Sequence, residues 1–171
     1  MKKFSLFALM LAMTVGMVSL NSCSKDEDDA PSFEGAVAYS GELVGTWEYS
    51  EDDDEYDETY TYTITFYSNG SCVMRETEKS DEGTEWDEVS GIFTVADDKV
   101  AFVPKKYAWD WLTWEGYDEE EYGPLIGSKD LDVDDDDYED YCRTFAYKVE
   151  SGKLSLTDAV YTDDEMILEK K

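Results

Sequence analysis

The sequence predicts an all-β fold of about eight strands, an antiparallel sandwich or barrel. Three observations lead there. Short runs of β-branched and aromatic residues alternate with a period of two. Turn signals recur about every 8 to 12 residues. Outside residues 104–140 no stretch has a convincing helical moment.

Thr46 to Ser50 is the first expected strand. Tyr56 to Tyr67 is the clearest, with Tyr60, Tyr62, Ile64 and Phe66 on one face and Thr61, Thr63, Thr65 and Tyr67 on the other. Ser68-Asn69-Gly70 supplies a tight hairpin, Gly70 being suited to positive φ, and Ser71 to Glu78 returns. Trp86 to Val95 follows, where Gly91 marks a bulge or a sharp barrel bend. Ala96-Asp97-Asp98 turns into Lys99 to Val103, which ends at Pro104. Tyr141 to Val149, the turn Glu150-Ser151-Gly152 and Lys153 to Thr157 make another hairpin, and Glu165 to Leu168 closes the series. The segment between Pro104 and Asp140 is long for an unstructured loop in a compact domain, which suggests a functional insertion, a lid or partial disorder.

Charge narrows the function classes. The chain has 43 acidic and 14 basic residues, a net charge of −29. Nucleic acid is excluded as a partner, because binding it requires Lys and Arg to neutralise phosphates. The same field disfavours anionic membrane surfaces and deters self-association, so a monomer is expected. Five Trp, 13 Tyr and 7 Phe, with regular alternation, argue against disorder over most of the length. Histidine is absent, which removes the usual general base, the usual zinc ligand and every Ser-His or Cys-His nucleophile. No enzymatic activity, catalytic residue, cofactor or metal is expected. Paired carboxylates arise by chance among so many acids, and nothing in the sequence marks two as buried or unequal.

Lys2 and Lys3 precede an uncharged stretch, Phe4 to Val18, that is too short and too abruptly ended for a membrane span of about 20 residues. Residues 1–22 read as an export signal. Leu20-Asn21-Ser22-Cys23 resembles the bacterial lipobox, with Asn21 a looser fit. That resemblance implies cleavage before Cys23 and a diacylglyceryl group on its thiol. No later segment is apolar enough to span a membrane, so the lipid is the anchor; each buried methylene contributes about 0.8 kcal/mol, and a single chain binds only marginally. Ser24-Lys25-Asp26-Glu27-Asp28-Asp29 resembles the surface-export signal of Bacteroidota lipoproteins, which implies the outer leaflet of the outer membrane and the cell surface. Residues 23–40 read as a lipidated flexible tether, and residues 41–171 as the folded domain.

Cys72 and Cys142 are the remaining thiols. An exported location permits a disulfide. Alternation speaks against it, since Cys72 shares a face with Met74 while Cys142 falls opposite the Phe145, Tyr147 and Val149 face.

Gly41-Glu42-Leu43-Val44-Gly45-Thr46-Trp47, Ile64 to Gly70, Gly91-Ile92-Phe93-Thr94-Val95 with Val100-Ala101-Phe102, and Tyr147 to Leu156 follow in order. Together they resemble the lipocalin-like domain of Bacteroidota lipoproteins, over most of residues 41–171 outside the insertion. The resemblance implies an antiparallel up-and-down β-barrel of about eight strands, lipocalin-like, its interior either filled or enclosing one small ligand. Trp47 would plug the closed end as a core aromatic, with Gly45 leaving room for close backbone packing. Lipocalins proper carry a T-D-x-x-Y element before a late strand and an arginine stacked on the first-strand Trp. Here Thr157-Asp158-Ala159-Val160-Tyr161 spells the element but follows the penultimate strand, and Arg143 is the only late arginine.

The candidate ligand-binding residues are Trp109, Trp111, Trp114, Tyr117 and Tyr122, which with Tyr107 interleave with acidic residues. Two readings stay open. The rings cover the barrel mouth as a lid, or they form an exposed platform on which sugar rings or partner side chains stack while carboxylates accept hydrogen bonds. The acidic tract Asp130 to Asp140 fails as an EF-hand loop, having Asp135 where Gly is needed and Tyr141 where Glu is needed, and reads as a solvated charge run. The expected function is a surface-anchored, non-catalytic binding module for a small amphipathic or saccharide ligand. The alternative is an accessory protein that docks on a partner of a surface nutrient-acquisition complex.

Overall fold

A computed structural model describes residues 30–53, 56–113, 117, 119, 123–135, 138–158 and 165–171, Glu139 by its backbone alone. The expected signal peptide, Cys23, Trp114 and Tyr122 lie outside the described residues.

Among the described residues nine strands occur in chain order: β1 Gly45–Asp53, β2 Glu58–Phe66, β3 Ser71–Ser80, β4 Gly83–Ala96, β5 Lys99–Asp110, β6 Ile126–Asp130, β7 Arg143–Glu150, β8 Lys153–Asp158 and β9 Glu165–Lys170. A four-residue helix, α1 (Tyr138–Tyr141), precedes β7. Neighbours in sequence pair antiparallel except β6 and β7, β9 pairs with β1, and β5 pairs with both β4 and β7, so eight strands close into a barrel. The ninth, β6, lines up beside the second half of β5 and lies within the expected insertion.

The expected turns form for the expected reasons. Gly70 has φ +88°, and the β7–β8 turn has positive φ at both Ser151 and Gly152. Directly opposed residues on antiparallel strands share a face. Trp47, Ile64, Met74, Val89 and Tyr107 are opposed in turn across β1 to β5, a row across one side of the interior. Phe66, Cys72, Phe93, Phe102, Phe145, Leu154, Leu156 and Leu168 fill the rest of the core. Cys72 is buried there and Cys142 is exposed, and both are free thiols.

β5 departs from the sequence reading, since it does not stop at Pro104 but continues to Asp110. Proline lacks the N–H a ladder needs and is tolerated at bulges. A register shift falls at Ser90/Gly91, where Gly91 pairs with Pro104 and Ser90 with Lys106. Gly91 is required by space: a Cβ there would lie 2.2 Å from the Val103 carbonyl oxygen. The skipped residue, Lys105, turns its carbonyl to accept from the Leu131 N–H at 2.9 Å, which helps carry Leu131 into the core.

One end of the barrel is plugged. Trp47 is fully buried and donates its indole N–H to the Leu43 carbonyl at 2.8 Å. Residues 30–44, largely assigned to the tether from sequence, lie against this end. Asn69 donates its side-chain amide to Pro31 O at 2.9 Å, the Tyr39 N–H donates to Ser68 O at 2.8 Å, and the Tyr39 ring meets Phe93 edge-on at 5.5 Å. The room beside Gly45 is taken by the Lys170 side chain, 3.2 Å from where a Cβ would stand, in place of the expected backbone contact.

Candidate functional site

At the other, distal end the inner face changes character. Beyond the apolar row of Trp47 to Tyr107, the next residues opposed in turn are Tyr49, Tyr62, Glu76, Asp87 and Trp109. The row after that brings Glu51, Tyr60, Glu78 and Glu85 together. Carboxylates replace aliphatic groups because β2 to β5 outrun the shorter β7, β8 and β9. The inner face of those strand ends is a wall of rings and acids.

Tyr107, Trp109 and Trp111 stand two residues apart on and just past β5, so strand geometry puts them on one face. Their rings form a ladder: Tyr107 to Trp109 at 5.2 Å, Trp109 to Trp111 at 5.6 Å, and Tyr141 of α1 on the far side of Tyr107 at 5.7 Å. All four are half-buried. The polar edges of the ladder are held from two sides. Asp87 Oδ1 accepts from the Tyr107 hydroxyl and, at 3.0 Å, from the Trp111 indole N–H. Trp109 donates to Pro124 O at 2.9 Å, and the Trp111 backbone N–H donates to Leu125 O at 2.9 Å. Gly127 on β6 leaves the space the Trp109 ring occupies, since a Cβ there would come within 2.4 Å of it.

The segment after β6 partly covers the core. Leu131 is buried, and Tyr138 and Tyr141 pack against the core beside it. The rings of the insertion stack within the protein and leave part of their surface exposed. Tyr117 donates its hydroxyl to Gly123 O, within the insertion.

Electrostatics set the wall apart from the plugged end. Glu76 is opposed to Asp87, and Glu78 to Glu85, and like charges directly opposed across strands are unfavourable. Burial, then Asp87, Glu78 and Glu85 in that order, push the Glu76 carboxyl up to about 8. Burial and the bond to Asp87 push the Tyr107 hydroxyl up as well. Tyr49, bonded to Glu51 at 2.7 Å, is raised to about 12, first by burial and then by that carboxylate. On the outer face of the same strands charges are matched: Arg75 meets Glu88 at 3.0 Å and lies 4.2 Å above the Trp86 ring. Among the described residues no group of three or more acidic or thiol side chains is arranged to hold a metal ion.

Of the residues singled out from sequence, Trp109 and Trp111 are brought together and Tyr117 is placed within the insertion. The sequence reading missed Glu76, Glu78, Glu85 and Asp87. The signal was the parity of β3, because the face holding Cys72 and Met74 continues through Glu76 and Glu78. Compared with known proteins, the chain matches no protein-family model and no curated protein sequence.

Proposed function

We propose that this protein is a lipid-anchored, non-catalytic binding module that takes a small amphipathic or saccharide-like ligand at the distal end of the barrel. The observation that carries the reading is the Tyr107–Trp109–Trp111 ladder set against Asp87. Flat rings stack on apolar sugar faces or alkyl groups, and the carboxylates beside them accept hydrogen bonds from hydroxyl or ammonium donors. The acidic wall selects against anionic ligands such as fatty acids or uronic acids, whose charge it repels. The lipobox-like Cys23 supports anchoring at the outer membrane, on the cell surface.

Native mass spectrometry of the protein, mixed in turn with neutral, basic and acidic oligosaccharides and with a membrane-lipid extract, tests this. The expected result is a stoichiometric adduct with a neutral or basic species, lost in Trp109→Ala and Trp111→Ala variants that keep the β-sheet circular dichroism spectrum. An unliganded monomer in every mixture counts against it.

The second reading, docking on a protein of a surface nutrient-acquisition complex, is favoured by one observation. Tyr56, Ile126 and Val133 are each about two-thirds exposed, and Tyr56 and Ile126 lie at the distal end. Single exposed apolar residues are ordinary on a protein surface, so this reading ranks behind the aromatic wall.

A further inference from the structure

The chain approaches the barrel along its plugged end. Pro31 and Tyr39 are fastened to Asn69 and Ser68 of the β2–β3 turn, and the Gly70 Cα leaves only 2.2 Å between a built Cβ and the Val37 carbonyl oxygen. Leu43 is then fully buried. From Cys23 to Ala30 the chain reaches at most roughly 25 Å even when fully extended. β4, with 14 residues, spans the barrel from the β3–β4 hairpin to the plugged end. At about 3.3 Å per residue it is about 45 Å long, and a strand tilt of about 40° makes the barrel about 35 Å tall. The tether is shorter than the barrel.

Charge divides along the same axis. Lys99, Lys148, Lys153, Lys170 and Lys171 gather at the plugged end. Three of them pair with carboxylates there: Lys171 with Glu48 at 2.6 Å, Lys148 with Glu150 at 2.6 Å, and Lys153 with Glu169 at 3.2 Å. The distal end carries Glu51 to Asp53, Asp57, Glu58, Asp81, Glu82 and the acids of the wall, with Lys79, Lys105, Lys106 and Lys129 far fewer. Within about 10 Å of an anionic bilayer, the distal end is repelled more strongly than the plugged end, where Glu34, Glu42, Glu48, Asp97, Asp98, Glu150 and Glu169 stand against the five lysines. Val37, two-thirds exposed, adds an apolar side chain on that side.

From tether length and charge division together, we infer that the plugged end is the face this protein turns to the membrane, with the Tyr107–Trp109–Trp111 wall held outward, about 20 to 30 Å further from the bilayer. Inversion is excluded by length, because an inverted barrel would place the Pro31 attachment farther from the bilayer than the tether reaches. A ligand or partner then meets the wall from outside, without competing with the anchor. The inference rests on the reading of Cys23 as the lipidated residue.

The test uses the full chain produced in a lipidating bacterial host and inserted into vesicles of phosphatidylethanolamine and phosphatidylglycerol that carry an acceptor dye on their headgroups. Intact-mass analysis first reads the acyl mass on the fragment that begins at Cys23. In a Cys142→Ser background, a donor dye is then placed at Asp97→Cys, in the β4–β5 turn, or at Glu82→Cys, in the β3–β4 turn; Cys72 is buried and does not label. Energy transfer several-fold stronger from position 97 than from position 82 is the expected result. Equal transfer, or stronger transfer from position 82, overturns the orientation while the acyl mass stands. Absence of the acyl mass overturns the anchor reading and this inference with it, but leaves ligand binding at the wall to its own test.

Discussion

Lys170 Nζ lies 5.2 Å from the centre of the Trp47 ring, so the last strand lays a cation over the first strand's buried indole. The two residues are opposed in register across β1 and β9, the pairing that closes the barrel between its first and last strands. Arg143, the only late arginine in the sequence, instead donates its Nε–H to Asp140 O at 3.0 Å. Removing the ring and removing the cation should differ in cost. Trp47→Ala is expected to lose about 3–5 kcal/mol, as for a large core aromatic, and Lys170→Ala about 0.5–1 kcal/mol. Urea denaturation followed by tryptophan fluorescence measures both, and equal losses would contradict the assignment.

Gly91 predicts a steric cost. Its missing Cβ would stand 2.2 Å from the Val103 carbonyl oxygen, a backbone atom that cannot swing aside. Gly91→Ala should destabilise by about 1–3 kcal/mol, the usual range for overpacking. A Gly152→Ala control, with nothing within 4 Å but φ at +79°, would carry only backbone strain. Thermal melts of the two variants separate the effects.

Asp87 anchors two rings through one oxygen. Asp87→Ala leaves the Tyr107 hydroxyl and the Trp111 N–H without that acceptor, at an expected cost of about 1–3 kcal/mol. Ring stacking should loosen with it. The near-ultraviolet circular dichroism of the variant is expected to weaken while its far-ultraviolet spectrum holds; an unchanged near-ultraviolet signal would mean that Asp87 does not order the ladder.

Glu76 predicts a pH dependence of a definite sign. Its carboxyl ionises near 4.5 ordinarily and near 8 in the folded protein, so the folded state holds the extra proton between those values. Stability from this group is present in full below about pH 4.5 and is lost as pH rises through 8, with a slope of at most about 1.4 kcal/mol per pH unit. Glu76→Gln removes the slope. The difference in unfolding free energy between the protein and this variant should therefore grow from pH 5 to pH 8.5 in favour of Gln, and a flat difference would refute the assignment.

By itself the sequence determined the strands, the turns and most of the core, because these depend on local chemistry. Period-two alternation in Tyr60 to Phe66 sets a buried face wherever the strand is placed, and Gly70, Ser151 and Gly152 turn the chain through their own backbone preferences. Trp109 and Trp111 also stood out in the sequence as large rings among acids, and the structure brings the two together. Tertiary structure decided the rest. Pro104 could lie inside a strand only because Gly91 across the sheet permits a bulge. Glu76, Glu78, Glu85 and Asp87 occupy the inner face, where alternation alone would put apolar groups, because unequal strand lengths extend that face past the core. Lys170 found Trp47 only when β9 met β1. Local sequence fixes which way a side chain points along its own strand, whereas the surroundings it points into come from strands far away in the chain.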